Sequence, residues 1–347
     1  MNPLRVGVVG VGHLGQHHAR VYRELKETDL VGVVDHDADR ARSIARKLKT
    51  EWSTDPAFLY DRVQAVNVVV PTVFHHEVAM PFLERGISVL VEKPMTYRVE
   101  EGEALVAGAA AGGAKLQVGH IERFNPGFRA LAAYDLQPVF VECHRLSPFR
   151  FRSADVSVVF DLMIHDLDII QCLFRSPVKR IEAVGVPVIS KHDDIANARI
   201  VFENGCVANA TASRVSLKTM RKIRIFAPNC YVTIDTGEGV AHFYRKKAGF
   251  DDVADRLKTA GNLAMLGELR KLAYNDLVEM EKIKLDSEEP LKAELASFAR
   301  AVIEDRTPEV TGEDGVAAVR VAAAVVEGIR RHLNEAGINP EPARHDA

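Results

Sequence analysis

The chain has 347 residues, 47% of them hydrophobic, and its 45 Lys and Arg against 48 Asp and Glu give a formal net charge of -3. That is apolar material enough for two ordinary domains, and the lack of a basic surplus argues against a nucleic-acid partner. No apolar run is long enough to span a bilayer; four scattered cysteines (Cys143, Cys172, Cys206, Cys230) without a CxxC pair, and no signal-peptide layout, predict a soluble, reduced, cytoplasmic protein.

The first predicted elements lie in "LRVGVVGVGHLGQHHARVYREL": a short buried strand over residues 6–9, a glycine-rich turn, then a helix with Leu14, Val21 and Leu25 as its apolar stripe. Gly10, Gly12 and Gly15 form a GxGxxG pattern. The first glycine permits the tight turn, the second lets backbone approach a pyrophosphate, and the third lets helix and strand pack closely, with the helix N-terminus facing the phosphates. His13 and Leu14 fill the positions between the glycines, and His17 and His18 are expected on the helix surface.

A lone GxGxxG is a weak signal, but a second strand, "LVGVVD", ends at Asp35, about twenty residues past the last glycine, where a carboxylate accepts hydrogen bonds from a ribose. This favours NAD over NADP, since Asp35 would repel a 2'-phosphate. Arg40 and Arg42 keep NADP as the less favoured alternative.

Two strand and helix units follow, "AVNVVVPT" into "FHHEVAMPFLERG" and "SVLVEKP" into "VEEGEALVAGAAAGG". The alternation predicts a parallel sheet with helices on both faces and ligands at the carboxyl ends of its strands. Pro71, Thr72 and His75, then Glu92 and Lys93, are the candidate cofactor contacts there. "HEVAM" lacks the second histidine of a zinc-binding HExxH, so no metal is expected.

Further on, "VVFDLMIHDLDII" sets Asp161, His165, Asp166 and Asp168 into an apolar run. Buried charge is costly unless paired or put to use. In a helix, Asp161, His165 and Asp168 share one stripe, which is tolerable if it faces a cleft, and a histidine suits proton exchange near neutral pH. Past residue 180 the chain reads as strands, with Asn204-Gly205 as a hairpin turn. Residues 251–285 read as a charged helical segment, and Glu294 to His332 as two helices.

The stretches "GVVGVGHLGQHHARVY", "VVVPTVFHHEVAMPFLERGISVLVEKPM", "FDLMIHDLDII" and "ELASFARAVIEDRTPEVTGEDGVAAVRVAAAV" resemble the glucose-fructose oxidoreductase and inositol dehydrogenase family, Gfo/Idh/MocA. The resemblance implies an α/β protein: a Rossmann NAD-binding domain over residues 1–121, then an α+β substrate domain over 122–347 with an open, mainly antiparallel sheet. The helices over about 291–336 would pack back toward the first domain, with the active site between the two. It implies an NAD-dependent dehydrogenase of a CH–OH group in which Lys93, His165 and Asp161 are catalytic. Which of Lys93 and His165 takes the hydroxyl proton stays open, and Asp168 is supporting structure. It also implies a homodimer or homotetramer, because one face of the sheet needs a cover.

"VGHIERFNPGFRAL" and the glycine-poor approach "SADVSVVFDLMIHD" resemble the family's nucleotide-sugar branch, which oxidises the 3-hydroxyl of UDP-N-acetylglucosamine ahead of an aminotransferase in 2,3-diamino sugar and lipid A synthesis. Glu122, Arg123 and Asn125 are then candidate substrate contacts, with Arg123 placed to grip an anionic or carbonyl group. The positive charge for a diphosphate would come from Arg150 and Arg152, or from Arg245, Lys246 and Lys247. A dehydrogenase of a free polyol or sugar, and a non-catalytic NAD or sugar sensor on the same fold, are the alternatives.

Overall fold

A computed structural model describes residues 2–149, 156–247 and 278–338. Its first sheet is six-stranded and parallel: β1 (Leu4–Val9), β2 (Thr28–Val34), β3 (Glu51–Ser53), β4 (Ala65–Val68), β5 (Ser88–Glu92) and β6 (Leu116–Gly119), in spatial order 3-2-1-4-5-6. The connecting helices are α1 (Gly15–Glu24), α2 (Ala38–Leu48), α3 (His75–Leu83) and α4 (Val99–Gly112). Every residue of β4 is buried, as expected of a strand covered on both faces. The order reverses between β1 and β4, and a ligand crevice opens at such a point, outside the carboxyl ends of the strands.

A 3-10 turn (Ile121–Phe124) and α5 (Pro126–Arg129) lead out of this sheet. The second sheet contains β7 (Phe140–Leu146), β8 (Val178–Val186), β9 (Ile195–Phe202), β10 (Val207–Ser213), β11 (Met220–Ala227), β12 (Cys230–Asp235), β13 (Val240–Lys246) and β14 (Val278–Lys282), in spatial order 14-13-12-11-7-10-9-8. Its pairs are antiparallel apart from β7 and β10. β9 alternates exposed and buried residues, the pattern of a sheet with one covered face. The hairpin from β9 to β10 turns at Asn204-Gly205, with Gly205 at φ +84°. One expectation changes here: Val278–Lys282, placed in a charged helix, is an edge strand. The rest of that reading, residues 251–277, and Arg150 with Arg152 lie outside the described residues.

On the covered face lie a π-helical turn (Val159–Met163), continuous with α6 (Ile164–Phe174), and the long α8 (Gly312–Glu335), which begins with a capping box between Thr311 and Asp314. The preceding helix, α7 (Pro290–Ile303), buries Leu295, Phe298 and Ala299 in one cluster with Val6 and Val8 of β1 and Ala19 and Tyr22 of α1. The end of the chain thus completes the core of its beginning. Among the described residues no helix is long and apolar enough to cross a membrane.

Candidate active site

The glycine turn between β1 and α1 shows three different demands. Gly10 has φ +86°, a conformation costly for any residue with a Cβ, and a Cβ there would lie 2.6 Å from the Val69 carbonyl oxygen. A Cβ on Gly15 would lie 1.8 Å from the Gly10 oxygen, so helix and turn touch directly. Gly12 is the opposite, with nothing within 4 Å of a Cβ built on it.

That open side is where a ligand's phosphates can meet backbone. α1 has neither a side-chain N-cap bond nor an acidic residue in its first turn, so the positive end of its dipole faces the turn with no side chain of its own capping it. Asp35, at the end of β2, accepts the Val11 N–H at 2.9 Å and ties the turn to the sheet, and Arg40 donates to its other oxygen at 3.0 Å. These residues fit a dinucleotide. His13 and Leu14 are exposed at the turn, and Pro71 and Thr72 lie at the exit of β4.

At the exit of β5 stand Glu92 and Lys93, followed by a cis peptide bond to Pro94. The loop is held from below by a buried chain of side chains. Tyr22 Oη donates to Asn67 Oδ1 at 2.6 Å, Asn67 Nδ2 donates to His18 Nδ1 at 2.9 Å, and His18 Nε2 meets Glu92 Oε1 at 3.1 Å. The other Glu92 oxygen accepts the Lys93 N–H at 3.1 Å. Burial pushes the Glu92 carboxyl up, but the His18 hydrogen bond and the His18 and Lys93 charges outweigh it and hold the group below the usual range.

His18, expected on the helix surface, is therefore a buried member of the site's foundation, because α1 turns Gly15, His18, Ala19 and Tyr22 inward and leaves Leu14 exposed. His75, expected at the cofactor, is instead a brace: its Nε2 lies 2.9 Å from the Val70 oxygen and its Nδ1 3.0 Å from the Pro94 oxygen. Both ring nitrogens face backbone carbonyl oxygens, and whichever carries the hydrogen donates to its neighbour, so the ring is wedged between the β4 and β5 exits.

From the other side comes the π turn. A π turn interrupts the regular helical ladder, and such turns often lie at functional sites. Here it carries Asp161, whose carbonyl oxygen accepts a hydrogen bond from Lys93 Nζ at 2.8 Å, across 68 positions of sequence. His165 follows in the first turn of α6, its Nδ1 buried and without a hydrogen-bond partner among the described residues. Burial, then the charges of Lys93 and Arg145, hold this imidazole well below its usual pKa, so it is neutral at physiological pH. The structure thus brings Lys93, Asp161 and His165 together.

The flanking carboxylates serve a different purpose. Asp166 takes a bidentate pair from Arg145 of β7 (2.8 and 3.0 Å), and Glu122 takes a third bond from the same guanidinium at 2.8 Å. Asp168 takes a bidentate pair from Arg123 (2.7 and 2.8 Å). All five side chains are buried. Glu122 and Arg123, expected to contact substrate, are thereby committed to each other's neighbours under α6; a buried arginine already held by two carboxylate oxygens has little left for a ligand. Asn125, the third expected contact, is the N-cap of α5, accepting the Gly127 N–H at 3.0 Å.

Two residues of this region had no signal in the sequence beyond their polarity. Arg145 sits in an alternating strand, and its role depends on partners 21 and 23 positions away. His120, at the exit of β6, is buried with neither ring nitrogen hydrogen-bonded among the described residues, and burial lowers its pKa.

Fold and cradle together define a two-domain oxidoreductase that binds NAD by its first domain. The description "Oxidoreductase family, NAD-binding Rossmann fold" (GFO_IDH_MocA) matches residues 4–120, and "GFO/IDH/MocA C-terminal domain" matches residues 136–233. The chain is 34% identical to a UDP-N-acetylglucosamine 3-dehydrogenase of Acidithiobacillus ferrooxidans, over 93% of this chain and 96% of the other. A solved structure of the 3-dehydrogenase GnnA from that organism superposes with a TM-score of 0.85 at 33% identity, covering 96% of this chain and 99% of the other. A scyllo-inositol 2-dehydrogenase (NAD(+)) of Bacillus subtilis is 30% identical over 61% of this chain and 68% of its own. The chain belongs to the Gfo/Idh/MocA oxidoreductases and is an NAD-dependent dehydrogenase.

Proposed function

We propose that this dehydrogenase oxidises the 3-hydroxyl of UDP-N-acetylglucosamine to the 3-oxo sugar, which an aminotransferase then consumes on the way to a 2,3-diamino sugar for lipid A. The observation that carries the reading is the meeting of Lys93 with the Asp161 turn, one step from a neutral His165, in a chain similar from end to end to an enzyme of that name.

NAD, when bound, supplies the acceptor for the hydride that leaves the sugar carbon. The protein's part is to remove the hydroxyl proton as that hydride leaves. His165, neutral and half-buried, takes it. Lys93 donates to the same oxygen and stabilises its developing negative charge, and Asp161 holds Lys93 through its carbonyl. Gly12 and the α1 N-terminus receive the pyrophosphate, and Asp35, with Arg40 moved aside, receives the ribose hydroxyls. The open sheet face bears a stacked run of Phe140, Phe226, Tyr231 and Tyr244, which we assign to contact with a second subunit of a cytoplasmic homo-oligomer.

The test is mass spectrometry of UDP-N-acetylglucosamine incubated with the protein, NAD, glutamate and a sugar aminotransferase, with reduced nicotinamide followed by absorbance. The aminotransferase draws off a ketone whose formation is uphill. An amino-for-hydroxyl mass change that disappears in His165→Ala is the expected result. Turnover of free inositol with none of the nucleotide sugar would replace this reading with the polyol one.

A further inference from the structure

A sugar diphosphate brings negative charge that the cleft has to receive, and three arginines of the second domain are already engaged elsewhere, while Arg150 and Arg152 lie outside the described residues. Arg123 and Arg145 are spent on Asp168, Asp166 and Glu122. Arg245 is paired with Glu279 at 2.7 Å, and it lies opposite Cys230, at the far end of β12 from Asp235. Asp235 is the end that meets the start of β11, opposite Lys222.

At that end stands Arg221. It lies directly opposite Arg145 in the pairing of β11 with β7. Residues directly opposite in a sheet share a face. Arg145 reaches Asp166 of α6, so Arg221 rises on the α6 side, and Lys222, next along the strand, on the other. Arg221 is exposed, and among the described residues its side chain has neither an ion pair nor a hydrogen bond. Two like charges facing each other across a sheet are destabilising. Arg145 is offset by its carboxylates, whereas Arg221 has no such partner, yet its charge reaches both His165 and Asp166.

We propose that Arg221 is the specificity residue for the substrate's diphosphate, binding phosphate oxygens while the sugar ring reaches Lys93 and His165. The inference rests on the nucleotide-sugar reading above. A guanidinium offers a planar fork of donors that matches phosphate oxygens, and here none of it is spent among the described residues. The bound diphosphate relieves the repulsion between Arg221 and Arg145 and places the nucleoside outside the cleft, beyond the end of the second sheet.

The experiment measures inhibition by UDP, and the KM for UDP-N-acetylglucosamine, in the full-length protein and in Arg221→Gln, Arg221→Lys and Lys222→Gln. Arg221→Gln is expected to raise both the UDP inhibition constant and the KM about tenfold with kcat within about twofold. Arg221→Lys recovers part of the loss, and Lys222→Gln, on the opposite face, matches the parent. NAD affinity, measured by quenching of protein fluorescence, stays unchanged in all three and reports that they are folded. UDP inhibition unaltered in both Arg221 variants overturns the assignment of Arg221 alone. A parent protein that oxidises a free polyol and is indifferent to UDP overturns the nucleotide-sugar reading and this inference with it.

Discussion

Where the first domain meets the cleft, between Gly10 and Gly15, the surface is backbone, and the one charged side chain that orders it, Asp35, works by accepting a backbone N–H. Where the second domain meets it, between Asp161 and Asp168, the surface is carried by buried side chains, with two arginines holding three carboxylates. The first wall is shaped by what is missing at each position and can accept phosphates by main-chain groups. The second is an electrostatic frame that holds one helix in place, and its tolerance for change is correspondingly low.

The largest effect should come from the residues between the walls. His165→Ala should lower kcat by about 10²–10⁴-fold, the usual contribution of a positioned general base, and leave NAD affinity unchanged. Turnover that survived would move the proton acceptor to Lys93, and a parallel Lys93→Met variant separates the two.

The frame is broken most sharply by Arg145→Met, which leaves Asp166 and Glu122 buried without their cation. Removing one partner of a buried pair costs about 3–5 kcal/mol, so the unfolding free energy from urea titration should fall by that amount. A loss under 1 kcal/mol would mean that water reaches these carboxylates.

On the glycine wall, two one-methyl substitutions should part company. Gly15→Ala places its methyl 1.8 Å from the Gly10 oxygen and should destabilise the whole domain. Gly12→Ala meets no protein atom within 4 Å, so thermal stability should hold within about 0.5 kcal/mol while the KM for NAD rises. Equal behaviour of the two would sink the assignment of Gly12 to the pyrophosphate.

The smallest effects concern pH. The His165 pKa lies well below the ordinary 6.5, so the acid limb of kcat/KM should lie below that pH, and Arg221→Gln, by removing a nearby cation, should move the limb upward. Glu294 of α7 is buried, with neither carboxyl oxygen partnered among the described residues; burial and the neighbouring Glu92 raise its pKa well above 4.5. A raised carboxyl stabilises the fold fully below its unfolded pKa, and that contribution is lost as pH rises through the folded value. Glu294→Gln should therefore gain melting temperature over the parent at pH 8 and little at pH 5; an equal gain at both would count against a protonated Glu294.

Much of the first wall was legible in the sequence because its signals are local: glycine spacing, a strand ending in Asp35, and Lys93 at a strand exit. That the first sheet is parallel follows from the same alternation. The second wall was legible only in part. The stripe of Asp161, His165 and Asp168 assumed one regular helix, whereas Asp161 lies in a π turn and offers its backbone oxygen, and Arg123, 45 positions away, claims the Asp168 carboxylate. Which arginine meets which carboxylate is decided by sheet register, and local spacing carries no trace of it. His18 was obscured for another reason. Its inward stripe runs through Gly15 and Ala19, residues too small to announce a buried face.

The packing of α7 against β1 and α1 also has a consequence for how the chain comes into being. During synthesis, domains generally fold from the N-terminus as they emerge. Here the first sheet cannot close its core until Leu295, Phe298 and Ala299 have left the ribosome, nearly a whole chain length after β1. Until then one apolar flank of the nascent dinucleotide domain stays bare, open to chaperones and to aggregation, and a chain halted before α7 would keep that flank exposed for good.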